Sequence, residues 1–222
     1  MIESNTGVWV RLLEGLGTTV LLTLCGSALA AFFAFTAGLA RLSKDVILRS
    51  LARLYIELFR GTSALVQLFW FYFALPILLD IQLDALLVGI LVLGLNIGAY
   101  GAEVVRSGLQ SVPREQIEAS IALNLTPRQR LRQVIIPQAI PIMLPPFGNL
   151  LIELLKGTAL VSMITVTDLT RAALYWRDET YRTNEIFGGL LVVYFVLAWL
   201  LTRGIRWLER RSIARLGPGG NA

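Results

Sequence analysis

The feature that most constrains this chain is the length of its uncharged stretches. Five runs without Asp, Glu, Lys or Arg each extend over 17 residues or more, at 15–40, 61–79, 85–102, 133–152 and 186–202. A helix needs about 20 predominantly apolar residues to cross a bilayer. Only 16% of the 222 residues are charged, against about 25% in soluble domains. The sequence therefore predicts an all-α integral membrane protein with five transmembrane helices.

The charged residues between these runs predict the orientation. We expect spans at about 16–40, 61–79, 85–102, 141–167 and 186–202, after an external segment (1–14) and before a cytoplasmic tail (209–222). The connections at 41–60 and 103–132 and the tail from 203 hold fifteen Lys and Arg residues, whereas the other connections hold four. Because Lys and Arg remain on the cytoplasmic side, the N-terminus should lie outside and the C-terminus in the cytoplasm.

The fourth span is the least regular of the five. Pro137, Pro141, Pro145 and Pro146 crowd its beginning, and apolar character continues past Lys156 to Thr167. Since prolines kink helices and excess length is absorbed by tilt, we expect a bent segment that enters the membrane near Pro141 and leaves near Thr167.

The residue inventory argues against an enzyme. The chain has no histidine and a single cysteine, Cys25, so no metal centre is predicted. It contains no P-loop, no G-x-S-x-G elbow and no H-E-x-x-H pair. The basic residues are explained by membrane orientation, so no nucleic acid partner is expected.

The segment 111–138 contains residues that typically start and end helices. Pro113 is suited to open a helix, and Asn124 suits a chain reversal because Asn tolerates a left-handed backbone. Thr126-Pro127-Arg128-Gln129 has the pattern of a capping box, which predicts that a second helix begins at once.

These residues resemble the EAA motif of ABC importer permeases. Glu118-Ala119-Ser120 is followed by Asn124 and, after the second helix start, by Ile135-Ile136-Pro137. Four further segments, met in order along the chain, resemble the polar amino acid permeases of the histidine, glutamine and arginine type: ELFRGT at 57–62, VQLF at 66–69, GAYGAEVVR at 98–106 and LKGTAL at 155–160. Three features depart from the family pattern: Asn124 replaces a glycine, Glu115 stands where glycine is usual, and Gly157 and Ala159 replace Asp and Ser.

The resemblance implies a type I ABC importer transmembrane domain over 15–208, in the bacterial inner membrane. It implies three kinds of partner besides membrane lipid: two cytoplasmic ABC ATPases, a second similar or identical permease, and an external solute-binding protein. ATP and Mg²⁺ would be bound by the ATPases, and this chain would hold no cofactor. The EAA segment, with Glu118, Ala119, Ser120, Asn124 and Pro137, would couple the permease to the ATPases.

Polar residues at membrane depth are candidates for the substrate pathway, because lipid exposure of such groups is costly. Glu153 and Lys156 lie three residues apart on one helix face, where they could pair with each other or contact a zwitterionic solute. Asn96 and Tyr100 belong to a polar stripe that could line the pathway or bond to neighbouring helices. Gln67 completes the candidate set.

The predicted function is therefore the import of a polar amino acid or a similar zwitterion, with ATP hydrolysis in partner subunits. A compatible solute such as ectoine or hydroxyectoine is the first alternative, because the 156–160 segment departs from the amino acid pattern. An ion-driven secondary transporter is a more distant one, because no internal repeat or buried acidic relay is evident.

Overall fold

The computed structural model describes residues 2–216, and the side chains of residues 9–212. Eight helices and no strands occur in this part of the chain: α1 (Ile2–Arg41), α2 (Val46–Arg60), α3 (Ala64–Leu79), α4 (Ala85–Gln110), α5 (Arg114–Ala122), α6 (Pro127–Ile164), α7 (Leu169–Thr180) and α8 (Thr183–Leu216). Four of them, α1, α4, α6 and α8, are long and apolar enough to cross a membrane. The bent pair α2 and α3 brings the number of candidate spans to five.

Helix α4 forms the centre of the bundle and packs along α1. The two backbones approach closely because small residues face each other across the contact. A Cβ atom on Gly101 would lie 2.7 Å from Ala34 Cβ, and one on Gly38 would lie 2.7 Å from Val105 Cβ. Small residues commonly permit such approach in membranes, where van der Waals packing drives helix association.

Helix α3 falls within the predicted second span, and a sharp bend separates it from the helix that precedes it. Helix α2 lies within the connection 41–60, yet it is bent by 101° from α3 and packs against the bundle. Ala52, Ile56 and Phe59 are buried, and Tyr55 Oη donates to the carbonyl of Leu95 at 2.7 Å. Because the charges of α2 lie on its other faces, charge counting assigned the whole helix to a cytoplasmic connection.

Helix α6 begins inside the segment 111–138 and continues beyond it without a break. It is α-helical over Pro127–Arg130, forms a π turn over Leu131–Ile135, is α-helical again over Ile136–Gly157, and tightens to a 3₁₀ helix over Thr158–Ile164. Three prolines lie inside the middle stretch. The helix ends where Thr165 adopts a left-handed backbone, with φ of 73°.

Candidate functional site

The segment 111–138 has the helix start and stop signals that its sequence predicts. Helix α5 begins after Pro113 and is closed by Asn124, whose φ is 60°. The Asn124 N–H donates to the Ile121 carbonyl at 2.8 Å, and the Leu125 N–H donates to the Ser120 carbonyl at 3.1 Å. These two bonds form a Schellman motif, which satisfies carbonyls at the end of the helix. The predicted left-handed turn at Asn124 is confirmed.

The start of the second helix is also confirmed. Thr126 Oγ1 accepts from the Gln129 N–H at 3.4 Å, and Gln129 Oε1 accepts from the Thr126 N–H at 2.9 Å. This is a complete capping box, with Pro127 at the first helical position. Helix α5 is thereby joined to α6 through a short connection with defined backbone geometry.

The five residues predicted for coupling occupy different environments. Glu118, Ala119 and Asn124 are exposed, whereas Ser120 is buried and donates from Oγ to the Ile117 carbonyl. Pro137 is half-buried near the start of the second α-helical stretch of α6. Two apolar neighbours are uncovered: Leu123 is 75% exposed and Ile121 is 52% exposed. Such an apolar tip in a charged segment is typical of a protein contact surface.

Two of the candidate pathway residues meet at the break between α2 and α3. The last carbonyls of a helix have no partner within it, and here side-chain amides supply the missing donors. Gln67 Nε2 donates to the Phe59 carbonyl at 3.0 Å and to Thr62 Oγ1 at 2.7 Å. Asn96 Nδ2 donates to the same Phe59 carbonyl at 2.9 Å and to Gln67 Oε1 at 3.1 Å. Gln67 and Asn96 are both buried.

This break lies beside the middle of α4, since Asn96 is near the midpoint of that helix. Arg60, the last residue of α2, therefore also lies near the middle of α4. Its guanidinium lies 5.1 Å from the centre of the Tyr100 ring, an arrangement that allows a cation–π interaction. The exposed Arg60 and the half-buried Tyr100 thus lie next to the buried Gln67–Asn96 pair.

Glu153 and Lys156 lie elsewhere, on α6, and both are exposed. Among the ion pairs of residues 9–212, none joins these two side chains. Gly157 faces α4, because a Cβ atom there would be 3.4 Å from Leu93 Cδ2. Glu153 and Lys156 therefore lie on a membrane-spanning helix, at a depth close to that of the Gln67–Asn96 pair. Their side chains lie on a surface of α6 that is exposed in the single chain.

Two polar clusters were not predicted from the sequence. At one end of α4, Glu103 contacts Arg106 at 2.8 Å and Arg41 at 3.8 Å, which ties α1 to α4. At the start of α7, the fully buried Asp168 accepts from the Arg171 N–H at 2.9 Å. The i, i+3 spacing of Glu103 with Arg106 and of Asp168 with Arg171 could have predicted these two contacts. The contact of Glu103 with Arg41 could not be predicted in this way, because the two residues are distant in the sequence.

No set of three or more His, Cys, Asp or Glu side chains among the described residues is arranged to hold a metal ion. The arrangement instead combines a capped helical segment at 111–138 with buried amide side chains beside the middle of α4. Residues 15–214 match the family described as the binding-protein-dependent transport system inner membrane component. The chain belongs to this family.

Three relatives of this chain are named as permeases of amino-acid, octopine and glutamine transport systems. It is 44% identical over 201 residues to a probable amino-acid ABC transporter permease of Sinorhizobium fredii, which covers 88% of this chain and 84% of that protein. It is 37% identical to the octopine transport system permease of Rhizobium radiobacter, over 92% of this chain and 89% of the relative. It is 35% identical to the glutamine transport system permease of Escherichia coli, over 90% and 92%.

Solved structures share its fold. The crystal structure of an amino acid ABC transporter with histidines matches with a TM-score of 0.85 and 34% identity, covering 95% of this chain and 98% of that one. The MetNI methionine ABC transporter, in inward-facing conformations, matches with a TM-score of 0.78 and 20% identity, over 91% and 96%.

These comparisons confirm the predicted family and the all-helical fold of a type I ABC importer. The chain is a multi-pass permease subunit of an ABC transporter in the bacterial inner membrane. Its family membership removes the secondary transporter alternative. The relatives described here give no support to the ectoine alternative.

Proposed function

We propose that this permease carries a polar amino acid or a closely similar zwitterion into the cytoplasm. The observation that carries the proposal is the placement of Arg60, Glu153 and Lys156. All three are exposed in the single chain and lie on helices of the membrane bundle, and none forms an ion pair within the described residues. Charged groups at such depth face a water-filled cavity or a protein partner, because lipid exposure is costly.

Charges of both signs suit a zwitterionic cargo. A solute with an α-carboxylate and an α-ammonium group would be bound by a lysine or arginine and by a glutamate. The names of the amino-acid, octopine and glutamine permeases support the same solute class. Gln67 and Asn96 would hold the end of α2 in place beside this pathway, and Tyr100 would line it.

The exposed surface of α6 also supports the proposal that a second permease, similar or identical to this chain, forms the other wall of the pathway. Two cytoplasmic ATPases would bind ATP and Mg²⁺, and an external binding protein would deliver the solute. Helix α5, with its uncovered apolar tip, would contact an ATPase. Because α5 leads into α6 through defined turns, closure of the ATPases would move α6 against the other spans.

The proposed orientation places helix α5 in the cytoplasm and α7 outside. It rests on the excess of basic residues in the connections on the α5 side. In a Cys25→Ala background, an impermeant maleimide should label Thr180→Cys in intact cells but label Ser111→Cys only after the membrane is opened. The reverse pattern would invert the proposed topology.

The ATPase activity of the reconstituted complex tests the function. Binding protein loaded with glutamine, arginine, histidine, octopine or ectoine is titrated onto proteoliposomes, and uptake of the labelled solute is measured in parallel. We expect one amino acid or amino-acid-like solute to stimulate both activities. Stimulation by ectoine alone would contradict the proposed solute class, and an absence of any ATPase association would contradict the proposed assembly.

A further inference from the structure

An apolar groove runs along the outside of the helix bundle, separate from the proposed pathway. It has a volume of about 540 Å³ and lies between α1, α6 and α8. Its walls include Val20, Leu155, Leu197, Gly204, Trp207 and Leu208. Of the described residues that line it, only Thr23 and Trp207 have a polar side-chain atom, and the Thr23 hydroxyl already donates to the Thr19 carbonyl at 2.8 Å. The groove therefore offers no hydrogen-bonding group to a polar solute along most of its length.

The length of the groove matches one leaflet of a membrane. Along α8 its walls extend from Leu197 to Leu208, which is eleven residue steps of about 1.5 Å, or about 17 Å. The hydrocarbon core of a bilayer is about 30 Å thick, so one leaflet accounts for about 15 Å. A lipid acyl chain lying parallel to α8 would fill the groove from the polar boundary to the middle of the membrane.

A positive charge lies at one end of the groove. Gly204, Leu208 and Arg211 follow one another at i, i+4 and i+7, so Arg211 lies on the same face of α8 as the groove. Its guanidinium is 5.1 Å from the centre of the Trp207 ring, which holds it beside the groove wall. Within residues 9–212, no carboxylate forms an ion pair with Arg211.

We propose that this groove is a binding site for one anionic phospholipid, with an acyl chain between α1 and α8 and the phosphate group on Arg211. Charge complementarity favours this occupant over an apolar helix of a second permease, which would cover the groove but leave Arg211 without a counter-charge. A phosphate accepts paired hydrogen bonds from a guanidinium, and basic pockets at the ends of transmembrane helices bind anionic headgroups. Under the proposed orientation, the lipid belongs to the cytoplasmic leaflet.

Fluorescence quenching by brominated lipids tests the site directly, because Trp207 lines the groove. The chain has five tryptophans, and a variant that keeps only Trp207 is reconstituted in vesicles containing dibrominated phosphatidylglycerol or dibrominated phosphatidylcholine. We expect Trp207 to prefer phosphatidylglycerol about five-fold, the contribution of one arginine near a membrane surface. A variant that keeps only Trp70, which is exposed on α3 and does not line the groove, should show no preference.

Two substitutions separate the headgroup from the acyl chain. Arg211→Gln should reduce the preference to about one, and Arg211→Lys should retain it. Arg206→Gln is the control, because Arg206 is two residues from Gly204 and thus on the opposite face of α8.

Gly204→Leu tests the acyl chain. A Cβ atom at this position meets open space, so a leucine side chain would occupy part of the groove and should reduce quenching of Trp207 by both lipids. Gly189→Leu, at an equally open position on the same helix, should leave the quenching unchanged.

Native mass spectrometry of the assembled complex, without tryptophan substitutions, provides the second measurement. The wild-type complex should retain more bound phosphatidylglycerol than the Arg211→Gln and Gly204→Leu complexes do. An unchanged lipid preference in Arg211→Gln would overturn the proposal. So would a Trp207 that neither lipid quenches, which would indicate that protein covers the groove.

Discussion

At the scale of single residues, Asp168 is the most unusual group outside the proposed pathway. It is fully buried at the junction of α6 and α7, and its Oδ2 atom has no hydrogen-bond partner among the described residues. Burial raises the pKa of this carboxyl above its ordinary value, and hydrogen bonds from the backbone N–H groups of Arg171 and Thr170 partly oppose the rise. The folded protein therefore holds a proton that the unfolded chain releases at a lower pH.

This difference predicts how stability depends on pH. Between the ordinary pKa and the raised pKa of Asp168 the folded state binds more protons, so the free energy of unfolding falls as the pH rises through that interval. Asp168→Asn keeps the helix cap and removes the charge. Its melting temperature should equal that of the wild type at acidic pH and exceed it above the raised pKa. Asp178→Asn, an exposed position on the same helix, serves as control in a thermal unfolding series. A wild-type and Asp168→Asn difference that is constant with pH would contradict the prediction.

Lys156 allows a second test at this scale. If it contacts the solute, Lys156→Met should lower transport about ten-fold or more, since a charged hydrogen bond contributes roughly 1.5–3 kcal/mol, and should change the order of preferred solutes. Lys44, the other lysine of the chain, is exposed, so Lys44→Met is the control. Uptake kinetics with competing amino acids provide the measurement. A loss of protein from the membrane with unchanged solute preference would indicate a structural role instead.

At the scale of elements, one end of the bundle depends on the contact between α1 and α7. The Leu169 N–H donates to Thr19 Oγ1 at 3.1 Å, and the rings of Trp9 and Trp176 lie 5.7 Å apart. Gly15 makes the closest approach. A Cβ atom at that position would lie 2.7 Å from the backbone oxygen of Asp168. Backbone atoms cannot move aside as a flexible side chain would.

Gly15→Ala should therefore separate α1 from α7. Overpacking of this kind costs roughly 1–3 kcal/mol, which lowers the melting temperature by about 2–4 °C for each kcal/mol in a domain of this size. Gly17→Ala is a matched control, since a Cβ atom at Gly17 meets nothing within 4 Å and alanine favours helix. Thermal unfolding of the purified complex compares the two variants. Equal melting temperatures would show that α1 and α7 are not held at this distance.

At the scale of the whole molecule, the segment 111–138 is continuous with the membrane bundle. Helix α5 and the capping box at Thr126 lead directly into α6, which extends from Pro127 to Ile164 and carries Lys156. A force on α5 therefore has a short and structured route to the proposed pathway. This continuity is the physical reason to expect that damage to α5 affects transport without affecting insertion.

Glu118→Lys tests this route. The variant should insert normally but hydrolyse ATP without uptake, or lose ATPase association, because the exposed Glu118 would meet the ATPase surface with the opposite charge. We expect uptake to fall at least ten-fold, from the loss of a contact of about 1.4 kcal/mol or more. Glu209→Lys, near the end of α8, is the control. Uptake and ATP hydrolysis are measured in the same proteoliposomes, and normal coupled transport by Glu118→Lys would contradict a coupling role.

The sequence by itself determined the features that depend on neighbouring residues. The helical membrane fold followed from the apolar runs, and the turn at Asn124 and the capping box at Thr126 followed from local backbone and hydrogen-bond chemistry. Only the tertiary structure decided which distant groups meet: the bend of α2, the hydrogen bonds of Gln67 and Asn96 to Phe59, and the burial of Asp168 against α1. Hydropathy and charge report whether a segment suits lipid or water, but they do not say which helix faces it. Partners far apart in the chain are selected by packing, so their contacts exist only once the bundle has formed.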